Sequence, residues 1–386
     1  MGWRSIAGTG GFPGLAQPGD WTGPAMAIRI ALRVSLSGPG CMPPAASKDR
    51  LPISVVVPTL NVMPMLPEHV AGMRDWLDLV EEVVVVDSES TDGTREYLEQ
   101  HIDQGQLRFF SRPRGLYQAW NYGIDQVRAP YTYISTVGDT ISREGLQHLH
   151  AVAAGLDAGV VISPPRFIDE AGRPIATPVW PIHRLLRLFS ADQPRLLERW
   201  AAFGLGLTTM PQAILGSSAS NLYRSDCLKR SHFPLEFGMA GDTAWGVANA
   251  LRVPVAMTGR VISDFRFHEK SYNVAPFPID DMQERLESLA GDALDEALAG
   301  DARLRSAPET GLLQAMLEQR RAARLHRIEL SAIRRKAPPW YLRSAAWRAL
   351  AQRNRARREY RRYALQLLAR SCGRTRAWSA LRNMKR

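Results

Sequence analysis

Two acidic signatures carry the residue types most able to do chemistry. One is Val83-Val84-Val85-Val86-Asp87-Ser88-Glu89-Ser90-Thr91-Asp92-Gly93-Thr94, and the other is Tyr131-Thr132-Tyr133-Ile134-Ser135-Thr136-Val137-Gly138-Asp139. Each is a β-branched or aromatic run that stops at a carboxylate among small polar residues. A buried parallel strand delivers an acid to the carboxyl edge of an open α/β sheet in this way, and ligands bind along that edge. Two such acids suit a nucleotide base and a divalent metal on its phosphates. Asp87 would be costly to bury alone; it can accept from the N3–H of a uracil or thymine ring, or it can cap the Thr91–Thr94 turn and the helix beyond. Ser90 and Asp92 read as turn chemistry. Asp139 follows Gly138, where backbone can approach a ligand closely, and a carboxylate there can hold Mg²⁺ or Mn²⁺ together with diphosphate oxygens. Its structural alternative is an N-cap for a helix starting near Arg143 or Glu144.

Three further positions are candidates. Asp242, in Phe237-Gly238-Met239-Ala240-Gly241-Asp242-Thr243-Ala244-Trp245, stands just before an apolar helix, as a general base at the mouth of a site or as another N-cap. His268 ends the alternating stretch Asp264-Phe265-Arg266-Phe267 and is a metal ligand or a structural histidine. Arg112 and Arg114 precede Gly115 and either neutralise phosphates, which guanidinium forks match, or are simply solvated. No Walker-type loop, G-x-G-x-x-G, zinc spacing or Gly-x-Ser-x-Gly signature occurs.

These residues need a scaffold, and the spacing supplies one. Strands are predicted at Ile53–Val57, Val83–Val86, Leu107–Phe110, Tyr131–Ser135 and Val160–Ser163. Helices are predicted near Glu68–Val80, Thr94–Gln100, Leu116–Val127 and Arg143–Leu156. Strand and helix in alternation mean a mostly parallel α/β sheet with right-handed crossovers. Residues 164–215 are proline-rich and irregular, 216–251 complete a second half, and Val253–Phe267 is expected to return to the sheet. The organisation is a leader over 1–50, a nucleotide-binding half over 51–160, an acceptor-binding and catalytic half over 161–280, and a helical extension over 281–386. The leader, rich in Gly, Pro, Ala and Ser, reads as disordered or as a start assigned too early, with Met26 or Met42 as the true beginning.

Charge divides the chain more sharply than its pI of 9.9 suggests. Of 49 basic and 38 acidic residues, 320–386 holds 21 basic and only Glu329 and Glu359 as acids. The rest is therefore acidic, with 28 basic against 36 acidic residues. The 45% hydrophobic content permits a large core. Cys41, Cys227 and Cys372 form neither a disulfide framework nor a metal spacing, which favours a reducing compartment. No stretch approaches the roughly 18 to 20 apolar residues that span a bilayer. In the tail, arginines alternate with Trp340, Tyr341, Trp347, Tyr360, Tyr363 and Trp378. Three readings are open: an anionic membrane surface, where each basic residue contributes about 1 kcal/mol; nucleic acid, disfavoured because no recognition module surrounds the arginines; and a solvated extension in an arginine-biased chain.

Taken in order, the motifs resemble family 2 glycosyltransferases with a GT-A fold. Val55-Val56-Val57-Pro58-Thr59-Leu60-Asn61 is similar to that family's first strand and nucleotide-binding loop, and Asp87–Thr94 to its second-strand signature. Gly115-Leu116-Tyr117-Gln118-Ala119-Trp120-Asn121-Tyr122-Gly123-Ile124 resembles a helix of a subgroup found in bacterial polysaccharide synthesis, and Val137-Gly138-Asp139 takes the place of its metal-binding motif. The resemblance covers roughly residues 51–270. It implies that Pro58, Thr59, Asn61 and Asp87 hold the base and ribose of a UDP- or dTDP-sugar, that Asp139 binds Mn²⁺ or Mg²⁺ with His268 as a second ligand, and that Asp242 is the base for an inverting displacement. Arg112 or Arg114 would stabilise the departing diphosphate. The chain departs from the family at Gly241, where a Glu usually precedes the acid, at Gln118, and in lacking an acid two residues before Asp139. The implied acceptor is a glycan or lipid-linked carrier at the cytoplasmic face of the membrane. The alternatives are a nucleotidyltransferase, which would want a Gly-rich loop after the first strand, and a catalytically silent scaffold with an anchoring tail.

Overall fold

A computed structural model describes residues 50–176, 180–189, 193–215, 218–267, 279–336 and 344–383. The leader and His268 therefore lie outside the described residues, as do Trp340 and Tyr341 of the tail. The predicted strands and helices of the first half are present: β1 (Leu51–Thr59), α1 (Leu66–Met73), β2 (Val80–Asp87), α2 (Thr94–His101), β3 (Leu107–Ser111), α3 (Leu116–Gln126), β4 (Tyr131–Ile134), β5 (Thr140–Ile141), α4 (Arg143–Gly155) and β6 (Val160–Ile162). Helix α1 is shorter than the expected Glu68–Val80. The chain turns after Met73 to bury Trp76, which packs edge-on against Tyr133 with centroids 6.1 Å apart.

The second half holds β7 (Arg166–Ile168), α5 (Pro181–Phe189), β8 (Arg195–Leu196), α6 (Arg199–Thr209), β9 (Asn221–Arg224), α7 (Ser225–Arg230), α8 (Gly241–Asn249), β10 (Val255–Met257) and β11 (Ser263–Arg266). The stretch expected to be irregular thus contains two helices. Pro181 begins α5, where a missing N–H costs nothing. Helix α6 is buried over Ala201–Leu207, so it shows no amphipathic period to read.

The main sheet has eight strands in the order β3-β2-β1-β4-β9-β6-β10-β8. β3, β2, β1 and β4 are parallel, and β9 runs antiparallel between β4 and β6. Both faces are covered, which is why the valine runs do not alternate with polar residues. Val56, Val84 and Val86 face one core with α3, whereas Val55, Val57, Val83 and Val85 face the other with α1. Gly123 lets α3 approach this closely; a Cβ there would lie 2.6 Å from Val56 Cγ1. Strand succession reverses between β1 and β4, the switch point at which open α/β sheets bind ligands. The expectation that Val253–Phe267 returns to the main sheet holds only for β10. β11 instead joins a three-stranded sheet, β5-β11-β7, in register with Arg166–Ile168.

The chain continues through α9 (Ile279–Gly300), α10 (Ala302–Ser306), α11 (Pro308–Lys336), α12 (Ser344–Cys372) and α13 (Arg374–Asn383). These helices are not a free extension: Leu313, Met316, Leu367, Leu368 and Ala377 belong to the core under α3, α5 and α6. The apolar stripe of α12 is carried largely by Ala346, Ala349, Ala356 and Ala364, with Leu367 and Leu368. A search for large residues alone misses it.

Candidate active site

Register fixes the first part of the site. Thr59 at the end of β1 pairs with Asp87 at the end of β2, and on the other side Ser135 N–H donates to Val56 O at 2.9 Å. Asp87 and the Ser135–Asp139 loop therefore flank β1 along one carboxyl edge, and both carboxylates are buried. Asp87 accepts from Thr59 Oγ1 at 2.7 Å, Ser90 Oγ at 2.6 Å and Ser90 N–H at 2.8 Å. A carboxylate offers about four acceptor positions, so the turn takes most of them and one is left for a ligand. The loop after β1 is stitched to the same turn: Asn61 Oδ1 accepts from Thr91 N–H at 2.9 Å, and Asp92 Oδ2 from Met63 N–H at 3.0 Å. Ser90 and Asp92 are turn residues, as expected. Asn61 is exposed with φ 49°, and Pro58 is partly exposed beside it.

Asp139 does not cap α4. That role belongs to Ser142, whose Oγ accepts from Gly145 N–H at 3.0 Å. Gly138, at φ 105°, lets the loop turn so that Asp139 Oδ1 accepts from Arg266 N–H at 2.9 Å. The buried Arg266 guanidinium then clamps the loop, donating to Gly138 O at 3.1 Å and Glu170 O at 2.6 Å and pairing with Glu68. From the other side His69 bridges Asp139 O and Ser135 Oγ, both at 3.1 Å. Burial pushes this imidazole down to about 4, so it is neutral at physiological pH. Among the described residues no cluster of three potential ligands surrounds a metal position. Asp139 supplies one hard anionic oxygen donor. That fits a cation that takes its remaining ligands from substrate phosphates and water, as Mg²⁺ commonly does.

The third acid reaches this edge through an aromatic residue. β3 ends at Ser111 opposite Asp87, so α3 starts beside the same edge with Tyr117 in its first turn. Asp242 N–H donates to Tyr117 Oη at 3.1 Å, and the hydroxyl also stands beside the Asp242 carboxylate. Asp242 is not an N-cap; it lies inside the first turn of α8 and accepts from Thr243 N–H at 2.6 Å. Desolvation pushes its carboxyl up to about 6 against these hydrogen bonds, which brings it toward the range useful to a general base. Gly241 also has a physical reason: a Cβ there would lie 2.6 Å from the Tyr117 ring. The ring fills the space that any side chain at this position would need.

Arg112 and Arg114 are exposed near the start of α3, with the Arg112 guanidinium 4.5 Å above the Tyr122 ring. Sequence reasoning gave no roles to His69, Tyr117 and Arg266. Arg266 carries a signal, an arginine inside an otherwise alternating strand, and Tyr117 lies in the Gly115–Ile124 motif. His69 has none, since an isolated histidine in a helix is uninformative.

Residues 54–208 match the family described as "Glycosyl transferase family 2". Among solved structures, S. aureus TarS 1–349 in complex with UDP-GlcNAc superposes with a TM-score of 0.52 at 18% identity, covering 86% of this chain and 90% of that one. The mannosyltransferase PcManGT from Pyrobaculum calidifontis, in complex with GDP-Man and Mn²⁺, gives a TM-score of 0.42 at 18% identity, covering 88% and 89%. No curated protein matches the sequence. The TarS likeness establishes a GT-A-type fold. With the strand-end acids ordered as described, residues 54–208 are similar in sequence to glycosyl transferase family 2, and the fold around them is of GT-A type.

Proposed function

We propose that the protein is an inverting glycosyltransferase that moves one sugar from a nucleoside diphosphate donor to a hydroxyl of a glycan or lipid-linked acceptor. The observation that carries this reading is the Asp242–Tyr117 contact, which ties a carboxyl raised to about 6 to the edge where Asp87 and Asp139 stand. Thr59, Asn61, Pro58 and the remaining acceptor position of Asp87 form the base and ribose end. A pyrimidine with an N3–H, as in a UDP- or dTDP-sugar, suits an acceptor at Asp87. Asp139 takes the diphosphate end, with His268 as a further candidate ligand. A divalent cation bound there would neutralise charge growing on the leaving diphosphate. Arg112 and Arg114, exposed at the start of α3, add positive charge on the same side.

In the displacement, Asp242 accepts the acceptor's hydroxyl proton as its oxygen attacks the anomeric carbon. The carbon–oxygen bond to the diphosphate breaks from the opposite face, and the nucleoside diphosphate leaves with the bonding pair. Tyr117 holds Asp242 in place, because its hydroxyl accepts from the Asp242 amide. The exposed Trp347 and Trp378 on the basic helices support peripheral contact with an anionic membrane surface. Among the described residues, no helix is long and apolar enough to cross a membrane.

The test is a thermal-shift series with UDP, dTDP and GDP, each with and without Mn²⁺, followed by donor hydrolysis. A pyrimidine nucleoside diphosphate should raise the melting point, and more so with the cation. Asp139→Asn should remove the cation's contribution and the hydrolysis. No shift with any nucleotide would overturn the donor-site assignment.

A further inference from the structure

Six arginines of the C-terminal helices line one concave surface. A cavity of about 330 Å³ between α6, α9, α11 and α12 is lined by Arg320, Arg324, Arg327, Arg353, Arg357 and Arg361, with Glu287 the one acid among its lining residues. Three of these arginines are engaged by the protein. Arg324 Nε and Arg320 Nε lie 2.8 and 3.1 Å from the buried Glu287 carboxylate. Arg320 also donates to Leu207 O at 3.0 Å, and Arg327 to Gln283 Oε1 at 2.7 Å.

The other three differ. Arg353, Arg357 and Arg361 recur every fourth residue along one face of α12, where like charges repel. Among the described residues no carboxylate pairs with any of them. Arg353 Nε and Tyr360 Oη are buried without a hydrogen bond, although Tyr360 stands near the Arg320 guanidinium. Burial and the neighbouring Arg357, Arg334 and Arg327 charges all press the Arg353 guanidinium toward losing its proton. Packing does not require this arrangement, since the stripe of α12 that meets the core is alanine and leucine. Unpaired like charges set this close, with Arg353 and Arg361 half-buried and Arg357 exposed, cost free energy that an anion would offset.

We propose that this cavity is a binding site for a ligand carrying two or more phosphate groups, separate from the nucleotide edge at Asp87 and Asp139. Guanidinium forks in a semicircle match phosphate oxygens, and the volume suits a diphosphate or a pair of phosphates. The phosphates can belong to a soluble diphosphate or to a lipid headgroup, and the chemistry is the same.

The experiment uses the full chain in chelator, which silences any metal-dependent binding at the donor edge. Inorganic pyrophosphate is titrated by calorimetry at fixed ionic strength, and phosphatidic acid vesicles are compared with phosphatidylcholine vesicles by flotation. Arg353→Gln/Arg357→Gln tests the site, with Arg358→Gln/Arg362→Gln as a control on exposed arginines outside it. The proposal expects pyrophosphate binding that weakens at least tenfold in the cavity variant and stays unchanged in the control. Binding of phosphatidic acid vesicles alone, with the same variant dependence, would assign the phosphates to a headgroup. Equal binding by all three proteins, or none to either probe, would overturn the proposal. Circular dichroism of the cavity variant confirms that it is folded.

Discussion

In Asp242→Asn one carboxylate oxygen becomes an amide nitrogen, while the oxygen facing Thr243 N–H at 2.6 Å can still accept. The wild-type carboxyl is held at about 6 by desolvation, against an ordinary value of 3.8. Its folded form thus binds the proton more tightly than its unfolded form. Between those two values the folded state carries more protons, so stability falls as pH rises through the window and stays lower above it. At 1.36 kcal/mol per pH unit the loss is at most about 3 kcal/mol. Asparagine never ionises and escapes it, but gives up the favourable charge at the start of α8, roughly 0.3–1 kcal/mol. The variant should therefore be more stable than wild type by on the order of 2 kcal/mol at pH 7.5. That is a rise of about 4–8 °C at 2–4 °C per kcal/mol. The gain should shrink steadily as pH is lowered from 7 toward 5. Transfer activity should fall by about 10²–10⁴, the usual share of a general base, and wild-type kcat/KM should rise about tenfold per pH unit below about 6 and then level. Melting curves of both proteins between pH 5 and 8, with initial rates alongside, read all of this. A variant less stable than wild type at pH 7.5, or a stability difference that ignores pH, would refute the desolvation argument and with it the reason for choosing Asp242 as the base.

Three other substitutions probe the framework. Gly123→Ala places a methyl 2.6 Å from Val56 Cγ1 and 3.1 Å from Val86 Cγ2; forcing α3 off the sheet should cost about 1–3 kcal/mol, read from the urea midpoint. Leu367→Ala opens a hole where α12 meets Gly204 of α6, and the leucine is wholly buried. A loss of about 2–5 kcal/mol is expected, whereas a tail that folded apart from the catalytic region would show a separate transition and leave the main one unmoved. Ser142→Ala should cost about 1 kcal/mol through loss of the α4 cap, with donor binding unchanged, because Asp139 does not share that role.

How far the sequence could be read depended on whether a feature was local. The four valines before Asp87 and the aromatic run before Asp139 declared strands that end in acids, because β-branched runs of that length have few other uses. The proline-rich stretch after residue 164 misled because α6 is buried almost all round and carries no polar face. The tail's docking stayed hidden because alanines line its inner face and composition drew attention to arginine.

What each acid does was a different matter. The sequence offered each a structural role in a cap or turn beside a functional one, a ligand contact for Asp87 and Asp139 and a general base for Asp242. Folding set their surroundings by bringing distant groups together: Ser142 took the cap from Asp139, Arg266 arrived from β11 to clamp its loop, and Tyr117 met Asp242 across 125 positions of chain. Strand identity and edge position follow from short-range pattern and were determined by the sequence itself. Protonation, partners and enclosure depend on which surfaces exclude water together, and only the tertiary structure decides that.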